Sequence, residues 1–112
     1  MLGSVDEVDV KEAARAAQAG EVLLLDVRED DEWAAGHAPD AVHVPMGQLR
    51  QDTVPRDRPV LVVCRVGGRS AAVAQALEQL QYDVANVAGG MLTWSAAGLP
   101  VVRDGDAPGT VV

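Results

Sequence analysis

The sequence is poor in cysteine and in aromatic residues. Among its 112 residues there is one cysteine, Cys64, and the aromatic residues are Trp33, Tyr82 and Trp94, with no phenylalanine. One cysteine cannot form a disulfide within the chain, which excludes a small disulfide-stabilised fold. With so few aromatic rings, the core has to be built from Val, Leu and Ala, a composition typical of a buried parallel sheet covered by helices.

Basic residues are also scarce, since nine Lys and Arg stand against seventeen Asp and Glu and the formal net charge is -8. No extended positive face is visible in the sequence, so nucleic acid and anionic membranes are not expected as partners. Residues 1–7 are acidic where a signal peptide would be basic and then apolar, which favours a cytoplasmic location. The one long uncharged stretch, Val84 to Val102, is broken by Asn86, by glycines and by Pro100, so it predicts a strand, a turn and a short helix rather than a membrane span.

Apolar runs and turn signals predict strands that alternate with helices. Asp9 and Glu12 have the spacing of a capping box, and Gly20 ends the helix that they start. The clearest helix runs from Ser70 to Gln81, because its apolar residues recur on one face. Further strands are predicted at 21–27, 41–44, 60–63 and 84–87. Further helices are predicted within 46–51, at 91–97 and in a short segment that is capped by Asp30 or Asp31 and ends at Ala35.

This alternation implies parallel crossovers and therefore an α/β fold. We predict a single three-layer domain over residues 1–102, with a central, mostly parallel sheet and helices on both faces. Residues 103–112 are rich in Gly, Asp and Pro and are predicted to form a flexible C-terminal tail.

The single cysteine stands where a predicted strand meets a glycine-rich loop. The strand Val60–Val63 is followed by Cys64, Arg65, Val66, Gly67, Gly68, Arg69 and Ser70. A lone cysteine at the end of a strand is most often a small buried hydrophobe. A loop of this composition is costly, however, unless its N–H groups and charges bind something, and both would favour a thiolate over the thiol, whose usual pKa is about 8.5. We therefore predict a nucleophilic cysteine in an anion-binding loop.

Three motifs, in the right order, resemble those of the rhodanese-type sulfurtransferases. The family's active-site loop is matched by Cys64 to Ser70. Its amino-terminal signature is matched by Leu24 to Glu29 and Glu32 to Pro45, and its carboxy-terminal signature by Gly89 to Trp94 and Gly98 to Val101. Together they cover most of the chain from Val22 to Val101. The departures are small: Ala38 stands where a larger aliphatic residue is usual.

The resemblance implies a two-step sulfur transfer that needs no cofactor and no metal. Cys64 would take the outer sulfur of a donor such as thiosulfate, become a persulfide, and pass the sulfur to cyanide, to a small thiol or to a protein acceptor. The substrate-binding residues that it implies are Arg65, Val66, Gly67, Gly68, Arg69 and Ser70. Their backbone N–H groups would stabilise the persulfide, while the two arginines would hold the sulfonate of the donor.

Two other classes of function stay open. Cysteine phosphatases and arsenate reductases have related folds, but their loops run Cys-x5-Arg, usually after a histidine. Here four residues separate Cys64 from Arg69 and Val63 precedes the cysteine, which gives a ring better sized for one sulfur than for a tetrahedral oxyanion. Rhodanese-like domains without chemistry also act as binding or regulatory modules, although these usually lack the cysteine.

Other residues that could carry chemistry have a structural interpretation. Asp26, Arg28 and Glu29 follow the carboxyl end of a strand, where parallel sheets bind ligands. Charged groups in that position more often pair with each other, and the resemblance treats this segment as scaffolding. His37 and His43 lie six residues apart across a Pro-containing turn with no second cysteine, so no metal site is expected, and His37 is predicted to have a hydrogen-bonded structural role.

Overall fold

Strands and helices alternate along the chain. The computed structural model describes residues 5–112, and of Gln51 it describes only the backbone. Residues 1–4 of the predicted domain lie outside the described residues. The strands are β1 (Asp6–Val8), β2 (Leu23–Asp26), β3 (Ala41–His43), β4 (Val60–Val63) and β5 (Val84–Val87), and the α-helices are α1 (Val10–Gln18), α2 (Asp30–Ala35), α3 (Gly68–Gln79) and α4 (Gly90–Ala96). Within this range no helix combines the length and the apolar character needed to cross a membrane.

The strands form one sheet in the order β1-β5-β4-β2-β3, and every pair of neighbours is parallel. Central strand β4 is buried along its whole length, as expected for a strand covered on both faces. It ends at Val63, so Cys64 lies at the carboxyl edge in the middle of the sheet. Open parallel sheets bind ligands at this edge.

Helices cover both faces of the sheet, which confirms the predicted three-layer α/β fold. On one face, Val73 of α3 shares a core with Leu25 of β2. On the other face, Ala13 of α1 and Met91 of α4 share a second core with Leu24. Adjacent residues of β2 therefore contribute to opposite cores, because side chains alternate across a strand.

The beginning of the chain differs from the prediction in two ways. Strand β1 was not predicted, because it is three residues long and includes Asp6 and Glu7. The predicted capping box of α1 is only half formed: Asp9 Oδ1 accepts from the Glu12 N–H at 2.8 Å, but the Glu12 carboxylate binds Arg15 instead of the backbone of the cap. An exposed carboxylate with an arginine one turn away has a charged partner that competes with the cap.

The helix predicted to be capped by Asp30 or Asp31 is capped instead by the residue that precedes both. Glu29 is its N-cap, and the helix starts at Asp30. Glu29 and Glu32 form a capping box in which the Glu29 N–H donates to Glu32 Oε1 at 2.9 Å. The carboxylate of Glu32 is thereby fixed at the start of α2.

Residues 103–112, predicted to be a flexible tail, lie against the domain in this structure. Val102 forms an antiparallel bridge with His37. Beyond it, the Thr110 N–H donates to the Ala35 carbonyl at 2.9 Å, and Arg65 Nε donates to the Val112 carbonyl at 3.0 Å. A segment of low hydrophobicity is thus held here by hydrogen bonds to its main-chain groups, which composition does not reveal.

Candidate active site

The loop after β4 turns directly into α3. Gly67 is the N-cap of this helix and has φ 115°, a left-handed conformation that favours glycine. The helix begins at Gly68, two residues before the predicted start at Ser70, because its first turn is built from residues typical of a loop. The positive end of the α3 dipole therefore lies close to the cysteine.

The sulfur of Cys64 is enclosed by this loop, and the residue is 1% exposed. The Gly67 N–H donates to Sγ at 3.1 Å, and the hydroxyl of Ser70 lies 3.2 Å from Sγ, with the Gly67 carbonyl as a second acceptor at 3.2 Å. The structure thus brings the predicted nucleophile together with two of the predicted loop residues. Groups that donate to sulfur stabilise its anionic form.

The pKa of the Cys64 thiol is lowered from its ordinary value by these donors. Burial by itself raises the pKa, but hydrogen bonds from the Ser70 hydroxyl and from the backbone N–H groups of Ser70, Gly67 and Val66 outweigh it. The leading causes are thus burial and hydrogen bonds rather than the arginine charges. The Ser70 hydroxyl is the largest single contribution that favours the thiolate, followed by the backbone N–H groups.

The first turn of α4 donates hydrogen bonds to the main chain of the loop. The Met91 N–H donates to the Cys64 carbonyl at 2.8 Å, and the Leu92 N–H donates to the Arg65 carbonyl at 3.0 Å. A Cβ on Gly90 would lie 2.5 Å from each of these carbonyl oxygens, so only glycine permits this approach. The N-terminal ends of α3 and α4 therefore both contact this short loop.

Asn86 on β5 also contacts the loop, and sequence reasoning missed it. Its side chain is buried, and Nδ2 donates to the Gly67 carbonyl at 3.4 Å and to Glu7 Oε2 at 3.0 Å. Asn86 and Glu7 are partners in the register of β1 and β5. A polar residue inside an otherwise apolar strand was the only sequence signal that could have identified it.

The two arginines of the loop have partners within the protein. Arg69 binds Glu32 through both guanidinium Nη atoms, at 2.7 Å and 2.9 Å. This pair lowers the pKa of Glu32 to about 2 and raises the pKa of Arg69. Arg65 is exposed and uses Nε for the Val112 carbonyl. The guanidinium fork of Arg69 therefore binds a carboxylate of the protein. The family resemblance instead implies that this fork holds the sulfonate of the donor.

Asp26 and Arg28 form a buried ion pair behind the site. Arg28 Nη2 lies 2.8 Å from Asp26 Oδ2 and donates to the Gly36 carbonyl at 2.8 Å, and both side chains are fully buried. This arrangement confirms the interpretation of the segment as scaffolding. It fixes the turn after β2 relative to the end of α2.

The two histidines stack on Trp33. The ring of His37 lies 3.6 Å from that of Trp33 and the ring of His43 lies 4.7 Å from it, both nearly parallel. Nδ1 of His37 contacts the Ala38 carbonyl at 3.1 Å, which agrees with the predicted structural role. Among residues 5–112, no three His, Cys, Asp or Glu side chains are grouped so that they could hold a metal ion.

A cysteine in a glycine-rich loop at the carboxyl edge of a five-stranded parallel sheet defines a class of α/β domains that carry a cysteine at the end of a central strand. Within that class, this chain belongs to the Rhodanese-like domain family, whose sequence model matches residues 9–97. It is 39% identical over 102 residues to a protein of Allochromatium vinosum named sulfurtransferase, covering 88% of this chain and 95% of the other.

Two further proteins are similar to this chain. A crystal structure of a rhodanese-related protein from Thermoplasma volcanium matches with a TM-score of 0.81 and 30% identity, covering 88% of this chain and 99% of the other. A Mycobacterium tuberculosis protein named HTH-type transcriptional regulator is 36% identical over 108 residues, covering 90% of this chain but 47% of that longer protein.

Proposed function

We propose that this protein is a sulfurtransferase in which Cys64 carries the transferred sulfur as a persulfide. The observation that supports this most directly is the environment of Sγ, which accepts from the Gly67 N–H and the Ser70 hydroxyl and has a lowered pKa. A thiolate is the nucleophilic form of cysteine. Similarity to a protein named sulfurtransferase supports the same reaction class.

In the first step, the Cys64 thiolate attacks the outer sulfur of a sulfane donor such as thiosulfate. The S–S bond of the donor breaks, sulfite leaves with the electron pair, and a Cys64 persulfide anion forms. Its outer sulfur carries the negative charge next to a loop whose Gly67 N–H already donates to Sγ. These preorganised donors stabilise that charge without rearrangement.

In the second step, cyanide or a thiolate attacks the outer sulfur of the persulfide. The products are thiocyanate or a new persulfide, and the electron pair of the broken S–S bond returns to Cys64. A cysteine on a partner protein can serve as this acceptor in the same way. Both steps are displacements at sulfur, and the lowered pKa of Cys64 serves both, because the same thiolate is first nucleophile and then leaving group.

Two observations favour sulfur over phosphate as the group carried. The ring from Cys64 to Arg69 is one residue shorter than that of cysteine phosphatases, so its N–H groups converge on a smaller centre. Both Nη atoms of Arg69 also donate to the Glu32 carboxylate, so its fork already has an anionic partner within the protein. Purified protein is therefore expected to leave an aryl phosphate unhydrolysed.

Intact-mass spectrometry after incubation with thiosulfate tests the proposal. We expect a gain of one sulfur atom that cyanide removes, together with release of thiocyanate. Cys64→Ser is the matched control, since it keeps the shape of the site but replaces the thiolate by a hydroxyl that is far less ionised. If the wild type gains no sulfur from thiosulfate or from an organic persulfide, the proposal is wrong and a binding role replaces it.

A further inference from the structure

The positive charge of Arg69, in the first turn of α3 after the Cys64 loop, is balanced by the carboxylate of Glu32. We propose that Glu32 is a positioning residue that sets donor selectivity: it occupies both Nη atoms of Arg69, so that the site takes singly charged organic sulfane donors in preference to the thiosulfate dianion. This inference rests on the proposed sulfur transfer and narrows its donor class.

The Glu32–Arg69 pair has a defined geometry. Both carboxylate oxygens of Glu32 bind Arg69, at 2.7 Å and 2.9 Å, and Oε1 also accepts the Glu29 N–H. The Glu32 side chain is 14% exposed. A carboxylate held by an arginine fork and by a helix cap does not exchange freely with solvent, unlike most surface ion pairs.

The pair stands beside the sulfur that would receive the donor. The charge of Arg69 interacts with Cys64, and it interacts also with Glu29 at the start of α2. Arg69 lies in the first turn of α3, directly after the loop of Cys64, and there its cation is paired with the Glu32 carboxylate. Because the pKa of Glu32 is about 2, its carboxylate stays ionised at neutral pH.

A second negative charge on the donor gains little from such a site. Arg69 attracts each negative charge of the donor, but the Glu32 carboxylate repels it and so offsets the attraction. The repulsion between Glu32 and the donor grows with the negative charge of the donor. Thiosulfate carries two charges, whereas an organic thiosulfonate or persulfide carries one at its sulfur. The balance at Arg69 thus penalises the dianion more than the monoanion.

Exposed apolar side chains beside the loop suit an organic group on the donor. Val66 lies within the loop and is 55% exposed, and Leu92, whose N–H binds the Arg65 carbonyl, is 37% exposed. An alkyl substituent can bury apolar surface against these side chains, but a sulfonate cannot.

The chemistry of an organic donor is the same displacement. The Cys64 thiolate attacks the outer sulfur of R–SO2–S⁻, the S–S bond breaks, and the sulfinate R–SO2⁻ leaves with the electron pair. With a persulfide R–S–S⁻, the thiolate R–S⁻ leaves instead. The Cys64 persulfide anion is the product in both cases, so no oxidant or reductant is needed.

Thiosulfate and methanethiosulfonate form a matched pair of probes, because a methyl group replaces one charged oxygen and the outer sulfur is retained. The test compares kcat/KM for each donor, with cyanide as acceptor, between the wild type and Glu32→Gln. We expect Glu32→Gln to raise the ratio of thiosulfate to methanethiosulfonate by about tenfold, because one negative charge is removed next to the donor. Using the ratio cancels a general loss of active protein and the intrinsic reactivity of each donor.

Asp31→Asn is the control, since it removes the same charge from the same helix at an exposed position outside the site. It should leave the donor ratio unchanged. An unchanged ratio in Glu32→Gln, or an equal rise in both variants, would overturn the inference.

A measurement on the wild type alone tests the same point if Glu32→Gln does not fold. A site with an unbalanced cation would lose kcat/KM for thiosulfate as ionic strength rises, because salt screens the attraction. We expect no such loss, and a clear decrease specific to thiosulfate contradicts the charge balance. If neither donor adds sulfur to Cys64 by mass spectrometry, the proposed function itself fails; if sulfur is added without the expected selectivity, only the role of Glu32 fails.

Discussion

The backbone N–H of Met91 donates to the carbonyl oxygen of Cys64 across 2.8 Å, so the first turn of α4 fixes the main chain of the cysteine. This contact depends on the absence of a side chain at Gly90, where a Cβ would lie 2.5 Å from the same oxygen. The main-chain position of Cys64 is therefore set in part by packing that lies outside the loop itself.

Gly90→Ala should destabilise the protein and reduce sulfur transfer together. Gly90 has φ +63°, so alanine adds backbone strain as well as a clash with two carbonyl oxygens. Gly98→Ala is the control, because Gly98 has φ +77° with nothing within 4 Å of a Cβ, and it costs only the strain, about 1 kcal/mol. Urea unfolding should show a clearly larger loss for Gly90→Ala; similar losses would mean that α4 can move away from the loop.

Ser70→Ala should raise the pKa of the Cys64 thiol. The variant removes a hydroxyl that lies 3.2 Å from Sγ and leaves the backbone donors in place. One hydrogen bond to an anion contributes about 1.5 kcal/mol, or roughly one pKa unit. The rate of alkylation by iodoacetamide, followed against pH, measures this shift, and an unmoved profile would show that the hydroxyl donates to the Gly67 carbonyl instead.

Glu32→Gln should reduce the loss of stability in acid. Arg69 lowers the folded-state pKa of Glu32 to about 2, below its ordinary value of 4.5. The stabilisation is therefore complete above about pH 4.5 and is lost as pH falls towards 2, and it amounts to about 1 kcal/mol after allowance for solvent screening. Unfolding free energies measured from pH 6 down to pH 2 should fall less in the variant, and parallel curves would exclude this contribution.

Arg28→Met should destabilise the domain by about 3 to 5 kcal/mol, because it leaves the fully buried carboxylate of Asp26 without its partner. Adding Asp26→Asn should recover part of this loss, since the remaining buried charge is then removed. A double-mutant cycle by urea denaturation measures the coupling. Strictly additive effects would show that the two residues act independently.

The sequence predicts the layers and the nucleophile because both rest on local patterns. Apolar runs such as Val60–Val63 and the helix after Ser70 follow from periodicity and turn residues alone. Cys64 followed by a glycine-rich loop is likewise contiguous, so its position at the carboxyl edge of a strand follows from the order of elements.

Contacts between distant parts of the chain could not be predicted in this way. Glu32 and Arg69 are 37 residues apart, and neither position marks the other as its partner. The same holds for Asn86, which reaches the Gly67 carbonyl from a neighbouring strand. Both contacts depend on strand order, which no local pattern encodes.

The pairing of β1 with β5 has a consequence for the order of events during synthesis. Glu7 and Asn86 are 79 residues apart, so β1 leaves the ribosome long before its partner strand exists. Contacts of such sequence separation form late, because a long loop has to close first. Asn86 then reaches both Glu7 and the Gly67 carbonyl, so the loop around Cys64 is completed only when almost the whole domain has emerged. The donors that lower the pKa of the Cys64 thiol come from residues 66–70, whereas the contacts that hold the main chain of the loop against β5 and α4 arrive only with the finished fold.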